Sequence, residues 1–130
     1  MTDDERRQVI AMVERFMLAS MEGRREVTDV LMAPDIDVTF TGGRKFKDPS
    51  EVKGFNAGRY AHVRKKIERW DVAEAGEETV VYSLGTLHGA WPDGTPFEGN
   101  RYVDRFVIRG GRIVKMDVWN DSAELMLLRA

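Results

Sequence analysis

The 130 residues carry 20 Lys or Arg against 22 Asp or Glu, a formal net charge of -2, and 42% of them are hydrophobic. That suits one domain spanning 1–130 with a core of its own; no apolar run reaches the about 20 residues a membrane span needs, and no basic stripe advertises nucleic acid. The absence of cysteine removes disulfides, thiolate nucleophiles and the usual zinc clusters, and two histidines offer little to a metal ion, so no metal site is expected.

The acidic start, Met1-Thr2-Asp3-Asp4-Glu5, has neither the basic residues nor the apolar stretch of a secretory signal, and a cytoplasmic location is expected. Thr2 with Glu5 has the form of a capping box, and Val9, Val13, Phe16, Met17 and Ser20 recur at helical spacing, predicting a helix from Asp3 to Met21. Gly23 ends it. A shorter helix presenting Val27, Val30 and Leu31 follows until Pro34 forbids continuation. From Asp35 to Phe40 polar and apolar residues alternate, and Gly42-Gly43 can supply positive φ, so a half-buried strand leads into a hairpin. Asp48-Pro49-Ser50-Glu51 reads as the start of a third helix carrying Val52, Phe55, Tyr60, Val63 and Ile67, although Gly54 and Gly58 weaken it. Arg64-Lys65-Lys66 reads as its solvated end.

Strands are predicted at 70–75, 79–91, 97–109 and 112–120, separated by Gly76-Glu77, Pro92-Asp93-Gly94 and Gly110-Gly111. A short helix from Ser122 to Arg129, presenting Leu125 and Leu128, closes the chain. Helices placed before a long antiparallel meander give an α+β domain whose helices cover one sheet face.

The run Gly85-Thr86-Leu87-His88-Gly89, then Asp93-Gly94-Thr95-Pro96-Phe97-Glu98-Gly99, then Val103-Asp104-Arg105-Phe106 leading to Gly110-Gly111-Arg112-Ile113, resembles the pattern of the SnoaL-like branch of the nuclear-transport-factor-2-like superfamily. Trp119-Asn120-Asp121 also matches the late tryptophan and aspartate of that family. The resemblance spans nearly the whole chain. It implies a cone-shaped, cystatin-like roll in which a highly curved, mainly antiparallel sheet wraps around the N-terminal helices. It also implies a pocket inside the cone and a homodimer.

Alternation along 97–109 puts Tyr102, Asp104, Phe106 and Ile108 on one face. A carboxylate among apolar neighbours is desolvated, its pKa rises, and it then suits general acid or base work near neutrality. The alternative is a buried aspartate that neutralises Arg59 or Arg101 or bonds to Tyr102. The resemblance implies the first, since Asp104 matches the acid/base of SnoaL-like polyketide cyclases. It matches as well the aspartic acid of ketosteroid isomerases that stays protonated and donates to an oxyanion. His88, taken with Tyr82, Leu84 and Thr86 on an inward face, is the expected assisting group; the alternative is a hydrogen-bonded core histidine. Where ketosteroid isomerase has its first-helix tyrosine and its catalytic-base aspartate, this chain has Phe16 and Phe40, so isomerisation of steroids by that mechanism is not expected.

Phe16, Phe40, Phe55, Arg59, Tyr60, Tyr102, Trp119 and Asn120 complete the expected ligand-binding set, with Arg59 able either to clamp an anion or to pair at the surface. Asp121 is expected to cap the last helix. The resulting expectation is cofactor-independent proton transfer by an isomerase, cyclase or lyase on a small hydrophobic or aromatic molecule. The alternative is a non-catalytic small-molecule-binding or assembly module of the same fold.

Overall fold

The computed structural model describes residues 1–47 and 49–129, with the side chains at 49, 50, 52 and 53 excepted; the expected Asp48 cap and Val52 contact lie outside the described residues. The first helix, α1 (Asp3–Glu22), begins where Thr2 accepts a hydrogen bond from the Glu5 amide at 3.1 Å and ends at Gly23, whose φ of 72° only glycine adopts without strain. It lays Val13, Phe16, Met17 and Ala19 inward. The second helix, α2 (Arg25–Leu31), buries Val27, but Val30 faces away at 67% exposure, contrary to the expected face. Two helical turns are too short to bury more than one edge.

Strand β1 (Met32–Phe40) starts earlier than the alternation suggested and buries Ile36, Val38 and Phe40. A single 3-10 turn, Thr41–Gly43, returns the chain as β2 (Arg44–Phe46), with Phe40 opposite Arg44 and Val38 opposite Phe46. Helix α3 (Pro49–Ala57) is much shorter than predicted. The chain resumes as β3 (His62–Ala75), continuing through β4 (Glu78–Ala90), β5 (Pro96–Arg109) and β6 (Arg112–Asn120) to α4 (Ser122–Arg129).

The sequence predicts a longer third helix than the structure has because Val63 and Ile67, four residues apart, satisfy both a helical and a strand period. Once Gly54 and Gly58 have weakened the helix, the ladder that pairs His62 with Ala90 and runs to Ala75 opposite Glu78 decides for strand. Arg64-Lys65-Lys66 is therefore strand, with Arg64 and Lys66 exposed and Lys65 turned to the other side.

The sheet order is β2-β1-β6-β5-β4-β3, antiparallel throughout except where β1 runs parallel to β6. The meander from β3 thus ends beside β1, and the curved, unclosed sheet receives α1 on its inner face. Phe16 of α1 meets Phe106 of β5 edge-to-face at 6.1 Å, inside a cluster that includes Val13, Val38, Val81, Ile113 and Val118. Helix α4 is held through Ser122, whose hydroxyl accepts from the Tyr60 phenol at 2.6 Å and from Asn100 Nδ2 at 3.1 Å. Its Leu128 is 73% exposed rather than packed. No helix among the described residues is long and apolar enough to cross a membrane.

Candidate functional site

Between α1 and the inner sheet face lies a cavity of about 300 Å³. Phe16 and Met17 from α1, Phe40 from β1, and Met116 and Val118 from β6 give it carbon walls, while Tyr102, Asp104 and Asn120 bring polar atoms. The segment from Tyr60 to Lys65, where the chain leaves α3 and enters β3, closes one side.

Asp104 points inward because β5 alternates, with Asn100, Tyr102, Asp104 and Phe106 buried and Arg101, Val103 and Arg105 less so. Its carboxyl is fully buried, and one oxygen, Oδ2, accepts a hydrogen bond from Lys65 Nζ. The other oxygen, Oδ1, has no partner among the described residues. Burial pushes the carboxyl above the ordinary aspartate range, and the Lys65 ammonium opposes but does not cancel that shift. Next to it, Tyr102 shares a 2.9 Å hydrogen bond with Ser83, and its phenol is pushed up to about 12 by burial, against that bond and with help from the Asp104 charge.

The partner of Asp104 is neither Arg59 nor Arg101. Arg101 pairs with Asp121 at 2.6 Å on the surface. Lys65 reaches Asp104 from two strands away; its side chain is 19% exposed, and Nζ also lies 4.9 Å from the centre of the Tyr102 ring. Sequence reasoning missed it by reading a charge run as a helix end. The available signal was the alternation Val63, Lys65, Ile67, which gives the lysine two apolar companions on one strand face.

His88 does not reach the cavity: it is exposed, on the face of β4 opposite to Ser83 and Leu87, both buried. Strand β4 is apolar on both faces, with Val81 and Leu87 inside but Tyr82 and Leu84 outside, so alternation alone could not say which side is in. The register settles it, since Ser83 stands opposite Asp104. Trp119 is likewise turned out, 52% exposed, opposite Val103.

Phe55 and Arg59 stand outside the cavity lining. Phe55 packs edge-on to Phe40 at 5.5 Å, and the buried Arg59 guanidinium lies 5.2 to 5.7 Å from the ring centres of Phe55, Tyr60 and Phe40. Its two terminal nitrogens have no hydrogen-bond partner among the described residues. Phe16, Phe40, Tyr60, Tyr102 and Asn120 do line the cavity. Asn120, rather than Asp121, supplies the side-chain cap of α4, its Oδ1 accepting from the Ser122 amide at 3.1 Å, while the Asp121 carboxylate is engaged by Arg101.

The model of the SnoaL-like domain family matches residues 13–116. The chain belongs to the SnoaL-like family. Among solved structures this SnoaL-like domain is similar to a nuclear-transport-factor-2-like protein of unknown function from Burkholderia pseudomallei, with 22% identity over 92% of this chain and 95% of that one and a TM-score of 0.70. A proposed SnoaL-like polyketide cyclase from a Jannaschia species matches at 21% identity over 90% and 88%, with a TM-score of 0.67. TerC, crystallised with polyporic acid, matches at 21% identity over 90% and 96%, with a TM-score of 0.62. At these identities the likeness is one of fold. Comparison with curated proteins gives no match.

Proposed function

We propose that this SnoaL-like domain takes a small apolar or aromatic molecule into the cavity and moves a proton on it without a cofactor, with Asp104 as acid and base. The observation that carries the reading is the Asp104 carboxyl, fully buried on the cavity wall, with Oδ1 unpartnered among the described residues. A buried oxygen without a hydrogen bond costs about 1–3 kcal/mol, so Oδ1, without a partner among the described residues, leaves this cavity-lining carboxyl short of one bond that a ligand would supply. A pKa raised by burial makes the carboxylate a stronger base than an exposed aspartate, one that accepts a proton from a carbon acid and returns it. Substrates of this kind carry hydrogen α to a carbonyl. The co-crystallisation of a structural neighbour, TerC, with polyporic acid supports a small-molecule reading of the cavity.

Phe16 and Phe40 on the wall supply neither a phenol nor a second carboxylate, and steroid isomerisation is not part of this proposal. Asn120 and Tyr102 would orient polar atoms of the ligand, and Tyr60 would bound the cavity near α4. His88 and Trp119, being turned outward, have no part in it. The outer sheet face that carries Trp119 is the surface on which a homodimer would form, which sedimentation equilibrium tests independently.

The test is exchange of α-hydrogen for deuterium in heavy water, followed by NMR, on a panel of aryl ketones and 1,3-dicarbonyl compounds. The wild type is expected to accelerate exchange for at least one compound, and Asp104→Asn to lose about 10²-fold or more of that acceleration. Ligands that stabilise wild type and Asp104→Asn equally, with no exchange above background, would instead establish the non-catalytic binding module suggested by the two phenylalanines.

A further inference from the structure

Among the described residues Lys65 is the one charged group in contact with the Asp104 carboxylate; the residue lines the cavity, and its ammonium lies against Asp104 Oδ2 and 4.9 Å from the centre of the Tyr102 ring. Its neighbours along β3, Arg64 and Lys66, are exposed, and although Arg64 also borders the cavity, neither makes an ion pair with Asp104. Placing the long stem of a lysine across a strand, mostly out of water, is costly unless the charge is matched. At rest Asp104 matches it.

We propose that Lys65 is a second catalytic residue, an oxyanion holder, and that the cavity's natural ligand is an apolar or aromatic molecule carrying an enolisable carbonyl or an acidic enol or phenol. This rests on the reading of Asp104 as the proton-transfer group. When Asp104 takes a proton from the α-carbon, the C–H bond breaks and its electron pair moves through carbon to the carbonyl oxygen. Asp104 becomes a neutral acid, the ligand becomes an enolate, and Lys65 exchanges one anionic partner for another within reach of the same ammonium. The site thus holds one positive and one negative charge before and after the step, so no buried charge is stranded at the moment it forms. Return of the proton from Asp104 to carbon restores the original pair, with no other reactant consumed. A cation preorganised where charge develops is the arrangement that stabilises an enolate most, because it needs no reorganisation in a site with little water.

A lysine whose charge were engaged by Asp104 and held out of reach of the ligand would leave the ionisation of a bound ligand nearly unchanged. The probe is therefore 4-nitrophenol, a planar acid whose phenolate is coloured, titrated by absorbance while bound to wild type, Lys65→Met, Lys65→Arg, Asp104→Asn and the double variant Lys65→Met with Asp104→Asn. Comparing the last two isolates Lys65 where no buried carboxylate is left without a partner, so misfolding of Lys65→Met alone does not block the test. Asp104→Asn is expected to lower the ionisation midpoint of the bound probe by one unit or more, about tenfold in favour of phenolate, because Lys65 is then free for it; the double variant should lose that gain, and Lys65→Arg, which keeps a cation, should hold the midpoint nearer the wild-type value than Lys65→Met does. Probe that binds all variants with the same ionisation midpoint overturns the assignment of Lys65 while leaving the cavity reading intact. Failure of the probe and of the ketone panel to bind the wild type at all overturns both.

Discussion

Asp104 and Lys65 show how two side chains acquire their character from three strands. The carboxyl owes its raised pKa first to burial, and Lys65 works against that rise without cancelling it. For linkage the sign is set by the folded value lying above the unfolded one of about 4. Below about pH 4 the stability Asp104 contributes is fully present, and it is lost as pH rises through the folded value. Asp104→Asn cannot titrate, so between pH about 4 and that folded value its stability should fall less with pH than that of the wild type. Urea unfolding of both proteins across that range checks this, and parallel curves would mean that Asp104 is not perturbed as described. Asp104 was legible in the sequence because a charged residue alternating with Tyr102, Phe106 and Ile108 has to face inward with them. Lys65 was legible only in part, because Val63, Lys65 and Ile67 alternate onto one strand face, whereas the carboxylate that draws the lysine inward lies two strands away.

At the scale of elements, the line of Lys65 depends on how closely β3 approaches β4. A Cβ at position 85 would lie 2.0 Å from the backbone carbonyl oxygen of Lys66, and one at position 89 would lie 2.1 Å from that of His62. Both neighbours are backbone, which cannot rotate aside. Gly85→Ala is therefore expected to displace β3, lowering stability by about 2 kcal/mol or more and loosening the Lys65 contact with Asp104. Chemical denaturation gives the first, and amide exchange along residues 62–67 gives the second; an unchanged protein would show that the strands have room to part. The same approach of β3 explains why a helix predicted to continue to Ile67 stops at Ala57. Helix α1, by contrast, was legible almost to the residue, since its capping threonine, its inward spacing and its terminal glycine are all local signals.

At the scale of the molecule, α1 is the lid of the sheet and Phe16 with Phe106 is its fastening. Phe106→Ala removes a fully buried ring from that contact and should cost about 3–5 kcal/mol in urea unfolding, with the spread set by how far the cavity beside it can collapse. A loss below 1 kcal/mol would show that α1 and the sheet are not cooperatively joined there. The sequence by itself determined the α+β class, the inward helix face, the last three strands of the meander and the second half of the first, most of the turns and the inward aspartate. All of these follow from periodicity and from residues whose backbone preferences act locally. Tertiary structure decided the parallel pairing of β1 with β6, the outward turn of His88 and Trp119, the removal of Phe55 and Arg59 from the cavity wall, and the meeting of Lys65 with Asp104. Those depend on which strands become neighbours and which side of a two-faced apolar strand meets α1, and such facts arise only when residues far apart in the chain are packed together.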